Sequence, residues 1–250
     1  MEEVPAVALR RTRDRARAAI IAIGAVCLLR ATEFVSLGFQ IDLLNRVGSL
    51  LPGEAEANDA RVNAISVLSV LAWVVAGVLF LRWVRAAHES AHLLDRDERT
   101  LISKSTLTWA YFIPFVNFVR PYQHMAILAE LSDPRDLELP PLRKRDPAAG
   151  YREPAVRVVP RAPWSPPPSF VGVWWGSYVL LVIASRVVQF DHAAGRKIAD
   201  LVAMTQRAMV FDVLLVATGP LCIAMIRGIT ACQQERARRL AILARADQDT

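Results

Sequence analysis

Cysteine is scarce in this chain of 250 residues: there are three, Cys27, Cys222 and Cys232. An odd count without metal-type spacing gives neither a disulfide framework nor a cysteine-built zinc site. Two of the three fall inside apolar blocks, where a thiol behaves as a small hydrophobe. Lysine is scarcer still for its class, since 27 of the 30 basic residues are arginine. No glycine-rich phosphate loop, nucleophile elbow or paired acid motif is present, and no internal repeat. Those absences leave P-loop phosphoryl transfer, α/β-hydrolase chemistry and solenoid architectures without support.

What is abundant is apolar sequence in blocks. Hydrophobic residues make up 54% of the chain and charged residues 22%. A soluble domain spreads its apolar residues at helical or strand period; here they run together and the charges stand between the runs, as in a membrane protein. The spacing predicts four transmembrane helices: Ala18–Gln40, Ala64–Leu81, Phe170–Phe190 and Ala208–Arg227. The second is about 27 Å long at 1.5 Å per residue, just enough for a ~30 Å hydrocarbon core. A basic start before an apolar run also suits a signal peptide. Arg30 and Glu33 stand where a cleavage region belongs, so the first block reads as a retained helix.

Basic residues set the orientation. Five precede the first block, two lie between the first and second, thirteen from Arg82 to Arg161, four around the turn between the third and fourth, and five from Arg227 onward. The positive-inside rule therefore predicts that both termini and the long middle segment lie in the cytoplasm, in a cell's inner (plasma) membrane. The organisation reads as a basic cytoplasmic arm (1–17), the first two spans with an interfacial segment (18–131), a Pro-rich cytoplasmic linker (132–169), the last two spans with a helical extension (170–240), and a tail (241–250). The interfacial segment, Leu107–Val119, is thirteen residues long and interrupted by Pro114, too short to span and suited to a re-entrant or interfacial course. Pro121 suits the first turn of a short helix to Leu131. Ten of the fifteen prolines lie between Ser132 and Pro168, the composition of a disordered or polyproline-II linker.

The stretch Phe80–Pro134 carries FLRWVRAAHESAHLL, then WAYFIPFVNFVRPYQHMAILAEL, then SDP. It resembles an uncharacterised bacterial membrane family, domain of unknown function 4328, with its FLRW-like helix end and W-x-x-F-I-P-x-x-N-x-x-R-P-like core. Trp109, Phe112, Ile113, Pro114, Asn117, Arg120 and Pro121 match that core. The pair Trp174-Trp175 and the segment Ile229, Thr230, Gln233 are similar as well. The chain departs from the pattern at His88, where the family would have Asn. The resemblance covers roughly residues 60 to 240 and implies four transmembrane helices and no assigned activity. From residue type alone, Arg120 suits lipid phosphate or a carboxylate. Asn117 suits backbone groups left open by Pro114.

His88-Glu89-Ser90-Ala91-His92 matches H-E-x-x-H, in which two imidazoles one helical turn apart bind zinc and the Glu activates a bound water. The alternative is plainer. His88, His92, Arg85, Glu89, Asp95 and Arg96 share one side of a helix, the pattern of a solvated polar face, and Arg85 opposes a dication. A third ligand is missing, with His124 and Glu130 the nearest candidates on the same side of the membrane. The expectation is therefore no metal and no cofactor, with zinc through His88 and His92 and catalysis by Glu89 as the alternative.

Four charges fall within the apolar blocks: Arg30, Glu33, Arg186 and Asp212. Counted at 1.5 Å per residue they reach one layer, about 18–24 Å above the inner boundary, and their charges cancel. Intramembrane charges are costly and pair with one another, so Asp212 is expected beside Arg30 or Arg186. This layer reads as a polar network fixing helix order, or else as an ion or proton site.

The sequence thus points to an all-α integral membrane protein, a non-enzymatic scaffold, sensor or accessory module rather than an enzyme. The alternatives are a membrane zinc metallopeptidase and a small oligomeric transporter or channel. The expected partners are the bilayer, anionic headgroups at the cytoplasmic face and a protein on that side; nucleic acid is not among them.

Overall fold

The computed structural model describes residues 3–95, 103–113, 116–137, 166–190 and 197–248. Among these every regular element is helical. Three helices are long: α1 (Glu3–Asn45), α2 (Glu54–Leu93) and α6 (Ile198–Gln248), of 43, 40 and 51 residues. Between them come α3 (Lys104–Trp109), α4 (Arg120–Ser132) and α5 (Pro168–Phe190). Short 3₁₀ turns follow α1 and flank α4.

Each long helix overruns its apolar block. The basic arm is not a separate segment, since α1 starts at Glu3 and carries the arginines on its first turns. α6 continues through Pro220 without interruption and carries the basic tail on its last turns. The turn from α1 to α2 closes at Gly53, whose φ of 88° lies in the left-handed region; glycine reaches it without a Cβ penalty.

α1 lies between α2 and α6, antiparallel to both; α5 packs on α6, and α4 touches α2, α5 and α6. The close-packed core sits at one end of the bundle, the end that holds both termini. It joins Ala16 and Ala19 of α1, Trp83, Ala87 and Ala91 of α2, Met125 and Leu128 of α4, Trp174 and Trp175 of α5, and Met225 and Ile229 of α6. Alanines at helical spacing let α1 and α2 approach closely enough for the large side chains to interlock from the other elements.

Away from that end the surface is apolar. Val67, Leu68, Val70, Leu71, Trp73, Val74, Val75 and Val78 of α2 are all exposed, as are Val210, Val213 and Leu214 of α6. Only 11% of the most apolar stretch of α1 and of α2 is buried, and 22% of that of α6. In water this contiguous surface would be unstable; in hydrocarbon it is the favoured one. These three helices are long and apolar enough to cross a membrane. Of the expected third span, α5, the described side chains cover the shorter apolar stretch Ser169–Ile183.

The segment expected to dip into the membrane is short helix and turn. Leu107 and Ala110 are buried against the bundle, while Trp109, Phe112, Val119 and Phe118 stay exposed. Pro114 lies outside the described residues, as does most of the Pro-rich linker, residues 138–165. α4 spans Arg120–Ser132 with Pro121 in its first turn.

Candidate functional site

Two polar clusters interrupt the apolar packing. The first closes the end that holds the termini, and it is built from the matched motifs. The Trp83 indole donates to Thr230 Oγ1 at 3.3 Å, joining α2 to α6. The Gln233 amide donates to Ala87 O at 2.8 Å and to Ser132 Oγ at 3.0 Å, so one side chain ties α6 to both α2 and α4. Ser132 in turn donates back to Leu128 O at 2.6 Å. Arg236 donates to Asp133 O at 2.6 Å and to Leu94 O at 3.3 Å, and Arg239 to Pro134 O at 2.9 Å. Helix ends leave carbonyls without intrahelical partners, and here arginines of α6 satisfy carbonyls at and just beyond the ends of α2 and α4. From α1, Thr12 donates to Ala86 O at 3.0 Å and sits 2.7 Å from Ser90 Oγ. The Trp175 indole donates to Phe118 O at 3.1 Å, which pins the segment before α4 to α5.

His88 faces into this cluster. It is 2% exposed, so the solvated face expected from the helical wheel does not exist at that residue: α4 covers it. His124 of α4 meets it edge-on at a ring distance of 6.5 Å, and His92 lies 6.4 Å along α2. Both nitrogens of His88, with His92 Nε2, His124 Nδ1 and Gln233 Oε1, are buried without a hydrogen-bond partner among the described residues. Burial, then the neighbouring His124 and His92, pushes the His88 imidazole down to about 3. Burial, then Arg120, lowers His124 too. Both effects disfavour the cationic form. Among the described residues no three His, Cys, Asp or Glu side chains are grouped so as to hold a metal ion. Glu89 is partly buried on a neighbouring face of α2, near enough to Arg15 to stabilise that cation.

The remaining motif residues lie at the rim. Trp109 and Arg120 are exposed, Pro121 is buried, and Asn117 is half-buried with its backbone N–H donating to Ile113 O at 3.0 Å.

The second cluster lies within the apolar stretch, where α1, α2 and α6 meet. Arg30 Nη1 is 2.9 Å from Glu33 Oε2 and 3.4 Å from Asp212 Oδ1. Ser69 and Ser66 of α2 donate to the two oxygens of Glu33 at 3.0 and 3.3 Å. Asp212 is 2% exposed. The side chain of Arg186, expected in the same layer, lies outside the described residues. One turn toward the α1–α2 loop, Arg61 donates to Ser36 Oγ, to Ser36 O and to Asn58 Oδ1, and its guanidinium sits 5.4 Å over Phe39.

The sequence reading missed Thr12, Ser69, Arg61 and Arg236. For Arg236 a signal existed: it stands three residues after Gln233 and seven after Ile229, on one helical face. For the hydroxyls there was none, since a serine in an apolar helix as often bonds its own backbone.

No curated protein and no solved structure matches the chain. A family model matches residues 46–231, from the loop before α2 to the middle of α6. That range holds Trp83, Ser132, Trp175 and Thr230, with Gln233 two residues beyond it, and with most of its length so matched the chain belongs to the family described as a domain of unknown function, DUF4328.

Proposed function

We propose that the protein is a four-span membrane protein with both termini in the cytoplasm, acting as a non-enzymatic scaffold, sensor or accessory module. The observation that carries this reading is the use made of motif residues in, and just beyond, the matched stretch. Trp83, Trp175, Thr230 and Gln233 all end in bonds that join helices at the termini-bearing end. Groups spent on holding four elements together serve a shaped cap rather than a reaction. The positive-inside pattern assigns that cap to the cytoplasm, where the ends of α1 and α6 offer themselves to a protein partner.

Membrane fractions washed with alkaline carbonate, followed by metal analysis of the purified full chain, test it. The protein should stay with the membrane and carry zinc far below one ion per chain. Stoichiometric zinc, lost in His88→Ala and in His92→Ala, would replace this reading with the peptidase one.

A second reading, a small transporter, is favoured by the Arg30–Glu33–Asp212 cluster inside the apolar stretch. Charged groups at that depth mark ion or proton routes in many membrane proteins. Flux through liposomes holding the protein, abolished in Asp212→Asn, would support it.

A further inference from the structure

The arginines of α1 are arranged on two flanks, and each flank meets another helix. On one side Arg10, Arg11 and Arg15 border a groove shared with α2, where Arg82 faces them, Val7 lies at the far end and Ala18 and Leu79 form the wall nearer the apolar stretch. Arg15 reaches across it, donating to Arg82 O at 3.2 Å. On the other side Arg13 and Arg17 border a groove shared with α6, where Arg227 faces them and Ile20 and Ile21 form the wall nearer the apolar stretch. Among the described residues none of these seven arginines makes a salt bridge, although Glu89 lies near enough to Arg15 to favour its charge. Asp14 is the one acid lining either groove. The cations crowd each other: burial, then Arg11 and Arg82, lowers the affinity of Arg15 for its proton.

We infer that the two grooves flanking α1 are seats for anionic phospholipids, each holding a headgroup phosphate among its arginines with the acyl chains lying against its apolar wall. This rests on the reading of the chain as membrane-spanning. Val7 apart, both grooves change from cationic to apolar in the same direction along α1, from residues 10–17 to residues 18–21. That is the order of a phospholipid from headgroup to chain. A guanidinium offers a planar fork that matches phosphate with two hydrogen bonds, and guanidinia clustered without a salt-bridged carboxylate leave a positive potential that an anion relieves. A freely diffusing phosphate would satisfy the arginines and leave Ile20, Ile21 and Leu79 uncovered; a lipid satisfies both. Unlike a general attraction of basic residues to an acidic surface, the grooves assign the effect to particular side chains.

The test uses the full chain reconstituted in vesicles of equimolar phosphatidylglycerol and phosphatidylcholine, then extracted in a neutral detergent. Native mass spectrometry counts the lipids retained per chain. Phosphatidylglycerol should be retained in clear excess over phosphatidylcholine. Each of Arg11→Gln, Arg82→Gln, Arg17→Gln and Arg227→Gln should weaken its retention by about fivefold, the loss of one surface cation. Arg46→Gln, in the loop after α1, should change nothing. Arg17→Lys should keep more of the retention than Arg17→Gln, with helix content by circular dichroism equal in both. Equal retention of the two lipids would overturn the proposal. So would displacement of phosphatidylglycerol by inorganic phosphate, or variants that retain it as well as the parent. A chain released from membranes by carbonate would sink the membrane reading itself, a different outcome from a chain that stays embedded and shows no lipid preference.

Discussion

Two carboxylates, Glu33 and Asp212, reach one guanidinium, that of Arg30, at 2.9 and 3.4 Å. The arginine is therefore the costly group to remove. Asp212→Asn leaves Arg30 with Glu33, whereas Arg30→Gln leaves two acids facing one another in an apolar setting. Breaking a buried pair in that way costs about 3–5 kcal/mol. Thermal unfolding in detergent should place Arg30→Gln well below Asp212→Asn, with the double variant recovering part of the loss. A double-variant loss equal to the sum of the single losses would show that the groups do not interact. A second residue-scale effect is acid sensitivity. An imidazole titrates near pH 6.5 when unfolded, while buried His88 titrates at about 3. Between those values the unfolded chain binds the extra proton, so stability is full above about pH 6.5 and falls as pH drops toward 3. At pH 5 the loss from His88 alone is about 2 kcal/mol, and His124 shifts in the same direction. His88→Asn, which does not titrate, should flatten the fall in unfolding temperature between neutral pH and about pH 5. An unchanged slope would place the acid sensitivity elsewhere.

At the scale of the element, contact between α1 and α6 depends on Gly219. A Cβ built there meets Cys27 Sγ closely and lies 3.8 Å from Ile23 Cγ2. Gly219→Val should push the helices apart at a cost of about 1–3 kcal/mol. Gly219→Ala combined with Cys27→Ala should melt within about 1 kcal/mol of the parent, because the second change frees the volume the first one takes. The apolar blocks behind α1, α2, α5 and α6 were legible as runs, and depth and charge narrowed the partner of Asp212 to Arg30 or Arg186, of which the structure shows Arg30. The continuation of α2 and α6 past their blocks was read as helical, but where the long helices end, and that α1 begins at Glu3, was not legible. α1, α2 and α6 continue past their blocks because arginines, hydroxyls and alanines there face other helices, and a mixed composition of that kind carries no strong period. The burial of His88 was hidden for a related reason. Whether a polar face meets water or α4 depends on where a helix more than twenty residues downstream comes to rest, and nothing local in the α2 sequence encodes that.

For the whole molecule, the positive-inside reading makes a claim that labelling can check. In sealed cells, with Cys27, Cys222 and Cys232 replaced, single cysteines near Glu56 and near Arg196 should react with an impermeant thiol reagent. A cysteine at Pro147 should not react until the membrane is opened. Reaction at Pro147 in intact cells would reverse the orientation, and the lipid seats on α1 would then face the other leaflet.

The position of α1 between α2 and α6 also bears on how the protein is made. α1 is synthesised before its partner α6, and Arg30 and Asp212 are separated by 182 positions in the chain. At about 5–20 residues per second the ribosome takes on the order of 10–40 s to cover that distance. On the membrane-spanning reading α1 spends that interval beside α2, with its arginine held by Glu33 and by nothing on α6. Glu33, three residues from Arg30 and fastened to Ser66 and Ser69, would thus serve as a chaperone built into the α1–α2 hairpin, keeping the charge neutral until α6 arrives.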